Sequence, residues 1–182
     1  MGYAVTEGEL IRLYGTTGVV YFPRHPESGL DPRTATFLSS TGIPHDETFV
    51  SRFDVEEPGH DTANLGERFD RRGRRCPEEA RSWLLLGYLT YSLVALDPAS
   101  GKVYVFPEGD DSYTQLHRDV ESLVFTLAEF RKLEEACLGT EDPEEPVTGF
   151  RARVDSFDPI PLAGEGSEWN RILDEVLSGM WG

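Results

Sequence analysis

Lysine is almost missing from this chain. Lys102 and Lys132 stand against 15 arginines in 182 residues, a skew that reads as genomic base composition. Positive charge as a whole is scarce. The 17 basic residues face 33 acidic ones, for a formal charge of −16 and a pI near 4.5. A domain of that charge repels nucleic acid and anionic membrane surfaces, which excludes direct binding to either without a strong basic patch. Charge alone leaves two readings open, a basic partner or high solubility. Cysteine is scarce too: Cys76 and Cys137 are far apart and make no disulfide framework. No basic-plus-apolar leader is visible, and no apolar run approaches the roughly 20 residues of a membrane-spanning helix. The expectation is a protein of the reducing cytoplasm.

What is present suits a packed fold. Apolar residues make up 38% of the chain, and 20 of all residues are Phe, Tyr or Trp. That is too much for an acidic disordered tail. The length fits one domain spanning 1–182.

Capping and periodicity outline the elements. Thr6 and Glu9 resemble a capping box, with Val5 and Leu10 placed for a hydrophobic staple, before a helix that Gly15 stops. A strand is predicted over Thr17 to Phe22. Asp31 and Pro32 open a second helix, which the run Thr41-Gly42-Ile43-Pro44 ends. Strands are predicted over Phe49 to Phe53 and, more weakly patterned, Leu65 to Phe69, with a polar loop from Glu56 to Asp61 between them. Trp83 to Leu86, a bend or bulge at Gly87, Ser92 to Leu96, turn residues Asp97 to Gly101 and Lys102 to Phe106 make the clearest β signal, ending in a hairpin. A short strand follows over Tyr113 to Leu116. Val120, Leu123, Val124, Leu127, Phe130 and Leu133 recur at helical spacing, with Cys137 one turn on and Asp119 as cap. Gly139 to Gly149, rich in acids and proline, reads as an exposed acidic loop, and Phe157 to Pro161 as irregular. A C-terminal helix is predicted over 167–180, its stripe formed by Trp169, Ile172, Leu173, Val176, Leu177 and Met180. This order predicts an α+β fold: a single mixed, mostly antiparallel sheet packed against helices.

Motifs for chemistry are few. No Cys-x-x-Cys, His-x-x-x-His or HExxH spacing occurs, so no metal or cofactor is expected. His25, His45, His60 and His117 fall in turns or beside elements and read as surface or supporting histidines. His60-Asp61 would matter only beside a nucleophile. Gly164-Glu165-Gly166-Ser167 puts an acid where a bound anion would sit and reads as a helix lead-in. Asp110-Asp111 and Glu144-Glu145 lie in polar surroundings that would not raise a carboxyl pKa. An arginine-rich loop, Arg68, Arg71, Arg72, Arg74 and Arg75 with Arg81 beyond, is interleaved with acids. It suits an interface rim or pairing with the chain's own surface better than phosphate. From Glu108 to Glu145 twelve acids face only Arg118, Arg131 and Lys132, a surface able to steer a basic partner.

The central residues carry a resemblance. Trp83-Leu84-Leu85-Leu86-Gly87, Leu93-Val94-Ala95-Leu96-Asp97 and Gly101-Lys102-Val103-Tyr104 resemble the SUKH superfamily (SMI1/KNR4-like), and within it the SUKH-4 branch. Phe37 to Pro44 is similar to the family's early helix ending in Gly-hydrophobic-Pro. Val120 to Leu123 with Phe130 is similar to its post-sheet helix, and Trp169 to Trp181 to its closing segment. The similarity runs from about Glu7 to Trp181. One departure is Asp119-Val120-Glu121-Ser122, where members often carry Asn or Ser. Trp83, Gly87, Leu96, Asp97, Gly101, Val103 and Trp169 stand as the signature of the fold.

The resemblance implies a non-enzymatic immunity protein that binds and neutralises a cognate toxin domain, a basic nuclease or nucleic-acid deaminase, as a 1:1 complex. The chain itself is expected as a monomer or weak dimer. Glu108, Asp110, Asp111, Tyr113, Arg72 and Arg74 are the candidate partner-binding residues. Two alternatives compete: an adaptor or regulatory protein-binding domain of the same fold without a toxin partner, and a small hydrolase or nucleotide-binding enzyme built on His60 or His117.

Overall fold

A computed structural model describes residues 2–24, 26–51, 64–109, 112–139 and 142–181. His25, His60, Phe53, the predicted loop from Glu56 to Asp61, and Asp110 and Asp111 lie outside the described residues.

The first helix, α1 (Glu7–Tyr14), starts as the sequence predicts. Thr6 Oγ1 accepts from the Glu9 amide at 3.3 Å, and the staple residues Val5 and Leu10 are both buried. The Glu9 carboxylate accepts from Lys132 at 2.8 Å. The next strand is shorter than predicted. β1 is Val19–Val20, paired antiparallel with β2, Ile43–Pro44. Pro44 offers no amide hydrogen, and the His45 amide closes the pairing on Gly18 O at 2.8 Å. Between them α2 (Pro32–Ser40) begins at Asp31, whose carboxylate accepts from the Arg33 and Thr34 amides.

Five strands form the main sheet: β3 (Phe49–Ser51), β4 (Leu84–Leu89), β5 (Ser92–Leu96), β6 (Val103–Phe106) and β7 (Thr114–His117). They lie side by side in chain order, every pair antiparallel. The α+β class stands, with the β1–β2 pair as a small addition. The register of β4 on β5 shifts between Leu85 and Gly87. Glycine is required there because an added Cβ would lie 3.0 Å from the Phe49 ring and closer still to the Val50 carbonyl oxygen. The β5–β6 turn explains two more signature residues. Asp97 accepts from the Ala99 amide and the Ser100 hydroxyl, and Gly101 adopts φ +73° to bring the chain back.

Both faces of the sheet are covered. Leu86, Val94, Leu96, Val103, Val105 and Leu116 point to the larger core, against α1, α2 and three later helices: α4 (Val120–Cys137), α5 (Glu144–Phe157) and α6 (Glu168–Leu177). All six apolar positions predicted for α4 are buried, and Asp119 caps it by accepting from the Ser122 amide at 2.8 Å. Leu85, Leu93, Ala95 and Phe106 point the other way, to a smaller core. α3 (Leu65–Arg71), a short 3-10 turn Glu78–Ala80, Cys76 and Trp83 cover it. Cys76 and Cys137 are both free thiols, packed in different cores.

Three predictions are corrected. Leu65–Phe69 is helix, not strand: Asn64 caps it by accepting from the Glu67 amide at 2.9 Å, and Leu65 and Phe69 bury one i,i+4 face. The arginine-rich segment is therefore partly helical, since Arg68 and Arg71 belong to α3. The acidic "loop" of 139–149 contains the start of α5, which buries Val147, Phe150 and Val154. Its acids and Pro146 occupy the first helical turn, where acids and proline are favoured. The stretch after Phe157 includes a 3-10 turn at Ile160–Leu162.

Candidate functional site

The buried polar interior holds the one histidine among the described residues of the sheet that offered catalysis. His117 ends β7 with no exposed surface. Trp169 Nε1 donates to His117 Nε2 at 3.0 Å. That bond leaves the proton on Nδ1, which faces Ser122 Oγ at 2.9 Å. The Ser122 hydroxyl donates onward to Asp158 Oδ2 at 2.5 Å, and the Arg118 amide donates to the same oxygen. The donors run in one direction, from indole to imidazole to hydroxyl to carboxylate. Serine lies between histidine and aspartate, with its proton committed to the acid. Imidazole Nε2 is occupied by the indole. Burial drives the His117 pKa down to about 3, with the Asp158 charge opposing weakly. This neutral ring has neither a free nitrogen nor an accessible nucleophile, so His117 pins β7, α4, α5 and α6 together. Of the two readings offered for this histidine, the surface one is corrected by its complete burial and the supporting one describes what it does. The proposed hydrolase use of this residue has no geometry behind it.

A second buried acid does similar work. Glu129 on α4 accepts from Lys132 at 2.7 Å and from Arg153 of α5. Burial alone would raise its pKa; the two cations hold it below the usual range. Lys132 spans from Glu129 to Glu9 on α1. No group of three or more His, Cys, Asp or Glu side chains stands close enough to hold a metal among the described residues.

Of the contact residues nominated from the sequence, Tyr113, Arg72 and Arg74 lie on the outer face of the sheet. Tyr113 stacks on Phe106 with centroids 5.0 Å apart, stands edge-on to Trp83 and Tyr104, and donates its hydroxyl to Glu79 at 2.8 Å. Trp83 in turn stacks on Tyr104 at 4.5 Å. Arg68 and Arg72 both lie 5.4 Å from the Tyr88 ring centre, and Arg68 Nε donates to the Tyr88 hydroxyl. Arg74 lies over Phe69. Arg81 forms a forked pair with Asp70. Glu108 is exposed two residues after the end of β6. The result is a half-buried tyrosine surface framed by guanidinium groups, rich in the residue types that dominate protein contacts. The arginines stack on the chain's own rings, which answers why they cluster: they roof the smaller core.

Sequence reasoning missed a different surface. The large apolar side chains left exposed among the described residues are Tyr21, Tyr91, Leu138, Leu177 and Met180. Three of them, Leu138, Leu177 and Met180, line a groove of about 850 Å³ at the C-terminal ends of α4 and α6. Trp181 closes its inner wall, edge-on to Phe130 and donating to Glu134 at 3.1 Å. Leu177 and Met180 belong to the apolar stripe predicted for the C-terminal helix. The stripe runs past the helix end, so its last members reach solvent.

These features define a class: an α+β domain with a meander sheet, a locked polar interior and exposed apolar side chains at its surface. The chain belongs to the SUKH-4 immunity protein family, whose family model matches residues 5–175. It therefore carries an immunity role, which implies binding a cognate toxin. No curated protein and no solved structure matches the chain. No described helix is long and apolar enough to cross a membrane.

Proposed function

We propose that this chain neutralises, without catalysis, a toxin domain that acts on nucleic acid, a nuclease or a nucleic-acid deaminase, by forming a 1:1 complex with it in the cytoplasm. The observation that carries the reading is family membership over residues 5–175 in a chain of net charge −16. An enzyme that handles a polyanion presents a cationic cleft, and an acidic inhibitor is drawn to such a cleft.

Glu108, with Asp110 and Asp111 next to it in sequence, contributes to the field that speeds encounter. Tyr113, Arg72 and Arg74 belong to a contact face where tyrosine rings bury area at small entropic cost. The arrangement around His117 supports a binding role, since its hydrogen bonds are spent inside the fold.

The experiment is co-expression and titration with each candidate toxin domain encoded by the genes flanking this one. Stoichiometric loss of toxin activity supports the reading. Full toxin activity in the presence of excess protein contradicts it, and an endogenous partner instead would assign the chain to the adaptor alternative.

A further inference from the structure

The groove at the ends of α4 and α6 has an unusual combination of surfaces. Its apolar wall is exposed to a degree that folding alone does not require: Leu138 is 81% exposed and Met180 72%. Glu47, Glu134 and Glu135 line it against a single cation, Arg131, already paired with Glu134 at 3.4 Å. Two helices also end there. The last turns of α4 and α6 contain no basic residue, so the negative ends of both helix dipoles go uncompensated within their own helices. Glu134 is fixed by bonds from Trp181 and Thr48. The groove is thus preformed, apolar inside and negative at its rim.

The hairpin tip beside it adds a further exposed ring. Thr90 adopts φ +53°, uncommon for a branched residue, and its amide donates to Thr48 O at 3.0 Å. Tyr91, next in the two-residue turn, is 82% exposed.

We propose that this groove is the anchoring site for the toxin, receiving a basic amphipathic segment. An apolar side chain of that segment would sit between Leu138, Leu177 and Met180, with lysine or arginine against Glu47, Glu135 and the helix ends. A second copy of this chain is a poor occupant, because it brings another −16 of charge to a negative rim. The proposal rests on the immunity reading and adds a second contact surface to the outer sheet face.

The test uses the full chain and catalytically inactivated forms of the candidate toxin domains encoded by the flanking genes, with affinity and association rate measured by surface plasmon resonance. Leu138→Asp and Met180→Asp, both at exposed positions, weaken affinity about tenfold or more each, mainly through faster dissociation. Glu47→Lys with Glu135→Lys slows association and flattens its salt dependence. Thermal melts confirm that each variant is folded. If the wild type binds and all these variants bind equally well, the groove is overturned while the immunity reading stands. If the wild type does not bind, both fall. A wild-type dimer in sedimentation that Met180→Asp dissociates would assign the groove to self-association and overturn the proposal.

Discussion

The indole of Trp169 hydrogen-bonds the imidazole of His117 at 3.0 Å inside the larger core, 52 residues away in sequence. It orients a ring that has no solvent contact and fixes which nitrogen holds the proton. The closing helix is thereby tied to the last strand by a directional bond as well as by apolar packing.

Trp169→Phe keeps most of the apolar volume but leaves His117 Nε2 without its donor in a dry site. Adding the cost of an unsatisfied buried acceptor to a modest cavity, the expected loss is about 2–4 kcal/mol. Urea unfolding followed by far-UV circular dichroism reads it directly. A midpoint within error of the wild type would show that the bond contributes nothing.

Acid should weaken the fold through the same residue. His117 is neutral when folded, with a pKa near 3, and an unfolded chain restores the ordinary value of 6.5. The unfolded state therefore binds a proton that the folded state refuses. The contribution is fully present above pH 6.5 and is lost as pH falls toward 3, amounting to about 2 kcal/mol by pH 5. Glu129 acts at lower pH. Its depressed carboxyl pKa gives stability above the usual carboxylate range that disappears as acid protonates it. Unfolding free energies from pH 8 to 5 for the wild type and His117→Gln separate the two. The variant should start less stable and show a flatter slope. Parallel curves would remove His117 from the account.

Gly87→Ala should destabilise the sheet by about 1–3 kcal/mol, because the new methyl meets the Val50 carbonyl and the Phe49 ring at the β4 irregularity. The shift in chemical denaturation midpoint measures it. An unchanged midpoint would mean that the strand moves aside at no cost.

These sites differ in how far the sequence announced them. Gly87, Asp97 and Gly101 are legible because turns and bulges depend on single residues with special backbone or side-chain chemistry. Asp31 and Asp119 are legible as helix caps for the same reason, and the structure adds Ser167 as a third; all three accept from amides two or three residues on. α3 is not legible because Leu65 to Phe69 is too short for its period to declare itself, and its one local signal is the Asn64 cap. α5 was misread because acids and prolines suit both an exposed loop and a helix's first turn; Val147, Phe150 and Val154 carried the helical spacing. The groove was invisible for a deeper reason. Leu177 and Met180 continue the periodicity of buried neighbours, and only the three-dimensional ends of α4 and α6 reveal that nothing in the described fold covers them. The link from His117 through Ser122 to Asp158 likewise joins three elements, which no local pattern could show.

Arg72→Glu together with Tyr113→Ala tests the outer sheet face separately. Arg72 is exposed and Tyr113 half-buried. If this face contributes to the toxin contact, affinity should fall about tenfold with the fold retained. Unchanged affinity, measured by isothermal titration calorimetry, would confine these arginines and tyrosines to roofing the smaller core.

The most direct measurement is the activity on nucleic acid of the candidate toxin domains encoded by the flanking genes, titrated with purified wild-type protein. The account predicts linear loss of activity to near zero at one equivalent, weakened by raised salt. Undiminished cleavage or deamination at several equivalents, with both proteins folded, would contradict it.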